Sequence, residues 1–136
     1  MWILSKDVDD AVKTVVKHED DGKILTVQRS SSDSRPLTWE FPGGGVEEDE
    51  EIREASVREL EEETGLQGEI VRQGESGELE LENRVLRFHV FEVEVQSKEV
   101  DLSREHRDFQ WVSKEKIRKL DSDNAMQKNL EAINEW

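Results

Sequence analysis

Residues 44–66 read GGVEEDEEIREASVRELEEETGL, and this stretch decides the fold. Gly44 is followed by five residues and Glu50, then by seven residues and the run Arg58-Glu59-Leu60-Glu61-Glu62-Glu63-Thr64-Gly65-Leu66. Acids at the start and a glycine at the end predict a helix from about Asp49 to Thr64, because carboxylates favour a helix amino terminus and glycine its far cap. At about 100° per residue, Glu59 and Glu63 point the same way one turn apart, and Glu62 flanks that face. Carboxylates gathered on one patch repel each other and raise each other's pKa. A hard divalent cation relieves that repulsion, since Mg²⁺ takes oxygen ligands. The competing reading is a plain solvated helix in an acid-rich chain.

The spacing resembles the signature of the Nudix hydrolases, G-x5-E-x7-R-E-U-x-E-E-x-G-U with U aliphatic, and all nine specified positions match. In a chain of this composition chance produces such a match on the order of once in a million. Phe41-Pro42-Gly43-Gly44 and Glu47 fit the family's usual form, whereas Asp49 stands where many members have glycine. The resemblance implies that Glu59, Glu62 and Glu63 are metal ligands, with Glu62 and Glu63 the most direct and the Gly43 carbonyl an additional one. It implies that Arg58 pairs with Glu50 and that the two organise the site around the ligands. Mg²⁺ is the implied cofactor, with Mn²⁺ as a substitute. Gly43 and Gly44 are expected to let the backbone turn tightly so that a carbonyl can approach the metal.

Outward from the motif, Ala11 to Lys17 and Lys23 to Gln28 read as strands joined by the polar turn Glu19-Asp20-Asp21-Gly22, a hairpin signal. Ser30 to Pro36 is a loop, and Trp39-Glu40-Phe41 a short extended piece. Further strands are expected at Gly68 to Gln73, Glu78 to Glu82, Val85 to Gln96 and Phe109 to Val112. Ser113 to Leu120 reads as a short helix. Asp123 to Trp136 reads as an amphipathic one with Met126, Leu130 and Ile133 on its apolar stripe. The expectation is one α+β domain over residues 1–136, a mixed, largely antiparallel sheet flanked by helices.

The resemblance is closest to the short, MutT-like nucleoside triphosphate pyrophosphatases. It implies a purine-pocket role for Arg29, a metal-ligand or general-base role for Glu105, and a base-reading role for Asn124. Each has a plainer alternative: a strand anchor for Arg29, a loop acid for Glu105 and a helix cap for Asn124. Trp39 is expected in a pocket wall or the core, and His89 and His106 show no spacing that suggests a ligand or a base. The chain has no Tyr, and its only prolines, Pro36 and Pro42, precede the motif, so marks of the diadenosine polyphosphate and ADP-ribose subgroups are missing. The expected reaction is hydrolysis of a (deoxy)nucleoside triphosphate, an oxidised purine included, to the monophosphate and pyrophosphate. The alternatives are a dinucleotide, ADP-ribose or nucleotide-sugar pyrophosphatase, or a module that senses a nucleotide without cutting it.

The 136 residues carry 34 acids against 19 Lys and Arg, a formal net charge of −15. Such a surface repels nucleic acid and anionic membrane, which leaves a small nucleotide as the partner, with a homodimer as a further option. A cation at the site inverts the local sign and reconciles the charge with an anionic substrate. Acids spread along the whole chain also resemble the surface of a protein from a high-salt cytoplasm, where repulsion is screened. The absence of cysteine excludes disulfides, thiolate zinc sites and a Cys nucleophile. Lys6, Asp7, Asp9 and Asp10 interrupt the short apolar start Met1-Trp2-Ile3-Leu4, which fits neither signal peptide nor membrane span. The expected location is cytoplasmic.

Overall fold

A computed structural model describes residues 7–33 and 35–133. Its elements are β1 (Asp7–His18), β2 (Ile24–Arg29), β3 (Trp39–Glu40), β4 (Gly43–Gly45), α1 (Ile52–Thr64), β5 (Glu69–Gln73) and β6 (Gly77–Glu80), followed by β7 (Arg84–Val95), β8 (His106–Val112), α2 (Lys114–Leu120) and α3 (Ala125–Ala132). The eight strands form one mixed sheet. Along β1 the side chains alternate between faces: Val12 and Val16 join an apolar cluster with Ala55 and Leu60 of α1, and Val15 joins one with Ile117, Met126 and Leu130. The sheet is therefore covered by α1 on one face and by α2 and α3 on the other, as the α+β reading requires.

The longest ladder is parallel, β1 against β7 from Asp7↔Arg84 to His18↔Val95, while the others are antiparallel. The hairpin expectation needs correction. The turn forms, with Gly22 at φ 70, but β1 and β2 pair only at Lys17↔Ile24. They then part, and the segment 39–45 enters the wedge, β3 pairing with β2 and β4 with β1. Thr14 fixes the wedge, donating to the Pro42 carbonyl from its N–H at 2.8 Å and from its hydroxyl at 2.9 Å. β2 finds its main partner in β8, from Ile24↔Val112 to Arg29↔His106.

Helix α1 starts at Ile52, not at Asp49. Asp49 adopts φ 63, a left-handed conformation open to glycine and tolerated by Asp. Glu51 and Glu54 then close a capping box, the Glu51 N–H donating to Glu54 Oε1 at 3.2 Å. Gly65, at φ 74, ends the helix as expected. β8 begins at His106, three residues ahead of the expected strand start at Phe109. Helix α3 is shorter than expected, and the part of its predicted run at 134–136 lies outside the described residues. Among the described residues no helix is long and apolar enough to cross a membrane.

Candidate active site

The wedge brings the Gly43-Gly44-Gly45 strand under the carboxyl half of α1. The tight turn expected of Gly43 and Gly44 is not found, since neither has a positive φ. Their lack of a side chain serves close packing instead. A Cβ on Gly43 would lie 2.0 Å from the Val12 carbonyl oxygen, and one on Gly44 would lie 2.5 Å from Glu59 Cδ. The glycines thus make room for β1 on one side and for the Glu59 carboxylate on the other.

Arg58 holds the outer edge. Its Nε and Nη2 donate to Glu50 Oε2 and Oε1 at 2.7 and 2.9 Å, the bidentate fork that suits a carboxylate. Nη2 also donates to the Gly45 carbonyl at 3.0 Å, and Nη1 to Glu59 at 3.0 Å and Glu62 at 3.1 Å. This pairing lowers Glu50 to about 2 and raises Arg58 above its ordinary value. The Arg58–Glu50 pairing implied by the motif is present. Glu62 lies on the solvent side, its side chain 58 % exposed.

Glu63 lies on the inner side and is buried. Its Oε1 accepts the Gly43 N–H at 3.0 Å, while its Oε2 has no hydrogen-bond partner among the described residues. Burial pushes it up to about 8, with help from Glu105 and Glu40 and against the Gly43 N–H and Lys13. Burial also raises Glu59, against the pull of Arg58. Glu105 reaches this place because its loop ties back to the end of α1. Asp101 N–H donates to the Thr64 carbonyl at 2.9 Å and Ser103 N–H to the Glu63 carbonyl at 3.1 Å, satisfying oxygens that the helix leaves open.

Behind Glu63 stands a network that the sequence reading missed. His106, set aside for want of ligand spacing, is buried with Nδ1 3.6 Å from Glu63 Oε2 and Nε2 2.8 Å from Glu40 Oε2. Glu40 in turn pairs with Lys13 and Arg29, each at 3.1 Å. Burial opposes the Glu40 charge, yet His106, Lys13 and Arg29 together draw its carboxyl down to about 2. The available signal was an acid, Glu40, set between Trp39 and Phe41 in an otherwise apolar piece.

Arg29 is committed to Glu40 and to Asp33 at 2.7 Å, the anchoring alternative. Next to this network lies a cleft of about 570 Å³ whose lining includes Lys13, Trp39, Glu40, Phe88, Met126 and Asn129. Trp39 lies in its wall. Arg29 and Asn124 are not in the lining, although Asp123 and Ala125 on either side of Asn124 are. Asn124 occupies the N-cap position of α3 at φ 61 and makes no side-chain cap bond.

These residues fit a divalent cation. Glu63 Oε2 is a buried, unpaired oxygen, Gly44 leaves a cradle over Glu59, and Glu59, Glu62, Glu63 and Glu105 are the hard oxygen donors Mg²⁺ or Mn²⁺ takes.

A mixed sheet between helices, with a glutamate-rich helix braced by an arginine against a glycine strand, defines a Nudix-type domain. The chain belongs to the NUDIX domain family, whose profile matches residues 9–133. It is similar to the MutT protein of Methanosarcina mazei Go1, with a TM-score of 0.78 and 30 % identity over 93 % of this chain and 92 % of that one. It is 41 % identical over 75 residues to the CTP pyrophosphohydrolase of Escherichia coli (strain K12), covering 55 % of this chain and 56 % of that protein. It is also 41 % identical over 51 residues to the RNA pyrophosphohydrolase of Sphingopyxis alaskensis, covering 38 % of this chain and 31 % of that protein. The chain thus matches about half of the first of these curated relatives and about a third of the second.

Proposed function

We propose that the chain is a divalent-cation-dependent pyrophosphohydrolase that converts a (deoxy)nucleoside triphosphate to nucleoside monophosphate and pyrophosphate. The observation that carries this is the buried, unpaired Glu63 oxygen facing Glu105, beside a cleft walled by Trp39. Mg²⁺, held by Glu59, Glu62, Glu63, Glu105 and the Gly43 carbonyl, would neutralise the diphosphate and acidify the attacking water. Arg58 fixes Glu59 and Glu62 through its Nη1, and Glu50 fixes Arg58. Glu105 is exposed, and an oxygen of it not used as a ligand is the proposed acceptor of the proton from that water. Trp39 offers a face for the base. Arg29 acts through Glu40, and Asn124 is proposed to read the base from its place between the lining residues Asp123 and Ala125.

The cleft lining contains Glu75, Glu78, Asp123 and Glu131. With Lys13, Arg35 and Lys128 also in the lining, the acids still predominate, and they suit the amino groups of a base better than a phosphate, which favours the α1 side for the phosphates. The match to an RNA pyrophosphohydrolase adds a second substrate to test, an RNA bearing a 5′-triphosphate. The charge of −15 disfavours any long contact with its backbone.

The test is a panel of nucleoside triphosphates, diadenosine polyphosphates, nucleotide sugars and 5′-triphosphorylated RNA, each with Mg²⁺ in ¹⁸O-labelled water. Monophosphate and pyrophosphate from a nucleoside triphosphate support the proposal. Saturable binding with no turnover would establish a sensing module instead.

A further inference from the structure

His106 presents two ring nitrogens with different surroundings. Nε2 lies 2.8 Å from Glu40 Oε2, and Glu40 is kept ionised by the cations Lys13 and Arg29, each 3.1 Å away. An ionised carboxylate only accepts, so Nε2 carries the proton. Among the described residues the other nitrogen, Nδ1, is buried and has no hydrogen-bond partner. It points towards Glu63 Oε2, the other buried atom left unpaired at this place, across 3.6 Å. The two side chains are 2 % and 4 % exposed. Both atoms are buried without a hydrogen-bond partner, which is costly, and a cation lying between them would satisfy both. Glu105 completes the group: a donor atom from each of Glu63, Glu105 and His106 lies within 4.8 Å of the others.

We propose that His106 Nδ1, with Glu63 and Glu105, forms a mixed nitrogen–oxygen position that takes a transition-metal ion such as Mn²⁺ or Co²⁺ in preference to Mg²⁺, and that Glu40 aims the imidazole. The inference rests on the reading of Glu63 and Glu105 as cation ligands under the proposed function. A carboxylate that receives the distal N–H of an imidazole fixes the tautomer and raises the basicity of the ligating nitrogen, the arrangement typical of metal-bound histidine. Among first-row transition ions the gain from an imidazole nitrogen is smallest for Mn²⁺ and larger for Co²⁺, whereas Mg²⁺ prefers oxygen alone and keeps its waters. Lys13 and Arg29 contribute by holding Glu40, one step removed from the ion.

The probe is Mn²⁺ added to the full chain, followed by pulsed electron paramagnetic resonance, with binding of Mn²⁺ and Mg²⁺ measured by calorimetry. The wild-type protein should show ¹⁴N coupling from one imidazole, and His106→Gln should remove it. That substitution should weaken Mn²⁺ binding about tenfold or more and Mg²⁺ binding far less, and Glu40→Gln should weaken Mn²⁺ binding about tenfold by loosening the ring. Mn²⁺ binding that depends on Glu63, tested by Glu63→Gln, but shows no ¹⁴N coupling in the wild type would overturn this inference alone. His106 and Glu63 would then share a proton. Mn²⁺ binding that is absent, or indifferent to Glu63→Gln, would overturn the ligand reading beneath it as well. The wild-type spectrum decides even if a variant fails to fold.

Discussion

Three consecutive glycines should respond to alanine in three different ways. At Gly44 the new Cβ would lie 2.5 Å from Glu59 Cδ and 2.6 and 2.7 Å from its oxygens. Comfortable contact begins near 3.5 Å, so the carboxylate must withdraw by about 1 Å. The obstacle is the far end of a flexible side chain, and the stability change should stay within about 1 kcal/mol. The site is less tolerant, because a displacement of about 1 Å in positioned groups costs roughly a hundredfold in rate. Gly43→Ala meets backbone instead, the Val12 carbonyl oxygen at 2.0 Å and Lys13 Cα at 3.0 Å. The β1–β4 ladder must part, and about 3 kcal/mol of stability should be lost. Gly45→Ala meets nothing within 4 Å among the described residues and should match wild type in both respects. Thermal melts and steady-state pyrophosphate release, run side by side, separate the three. Wild-type turnover in Gly44→Ala, or a loss of stability as large as that of Gly43→Ala, would refute the assignment of Gly44 to the Glu59 cradle.

Glu63→Gln should lower kcat by about a hundredfold or more with every substrate, since each shares the diphosphate, and this is read by comparing kcat across the panel. In chelator, Glu63 rises from 4.5 to about 8 on folding, so the folded state holds this proton more tightly than the unfolded chain does. Its burial is therefore free of penalty below pH 4.5 and increasingly destabilising up to about pH 8. The cost is on the order of a few kcal/mol, and melts of Glu63→Gln across that range should show a flatter pH dependence than wild type. Asn129→Ala should flatten base selectivity by about tenfold in kcat/KM if the cleft holds the base, whereas Asn124→Gly should keep both selectivity and fold, because glycine accepts φ 61. A reversed outcome in kcat/KM would return base reading to Asn124. The net charge of −15 should make Tm climb as KCl is raised towards molar concentration, and a flat or falling Tm would count against a high-salt surface.

The parts of the site that lie within one helix were readable from sequence, because α-helical geometry converts spacing into direction. Glu59, Glu63, Arg58 and the Gly65 cap are of this kind. The departure at Asp49 was readable too, and its φ of 63 accounts for a glycine preference there. What sequence spacing cannot express is contact between distant strands. The parallel β1–β7 ladder joins residues about half a chain apart, and the β1–β2 hairpin parts after one pair because Pro42 and Gly43 take over the β1 edge. His106 stayed hidden for that reason: its partners, Glu40 and Glu63, sit on other elements. Arg29 was noticed, but Asp33 and Glu40 compete for its guanidinium.

The wedge between β1 and β2 has a consequence for how the chain is kept folded. Lys13, Arg29, Glu40, Glu63 and His106 come from five separate elements and meet only once that opening is filled. If an ion is held beside them by Glu63 and Glu105, as proposed, it would meet both ligands only once the loop before β8 has docked on the end of α1. Its binding energy would then favour the finished structure. At a hundred times the dissociation constant, such linkage adds about 2.7 kcal/mol. Free cation would then act as a chaperone in the thermodynamic sense, and variants too weak to stand unaided would be recovered by raising its concentration.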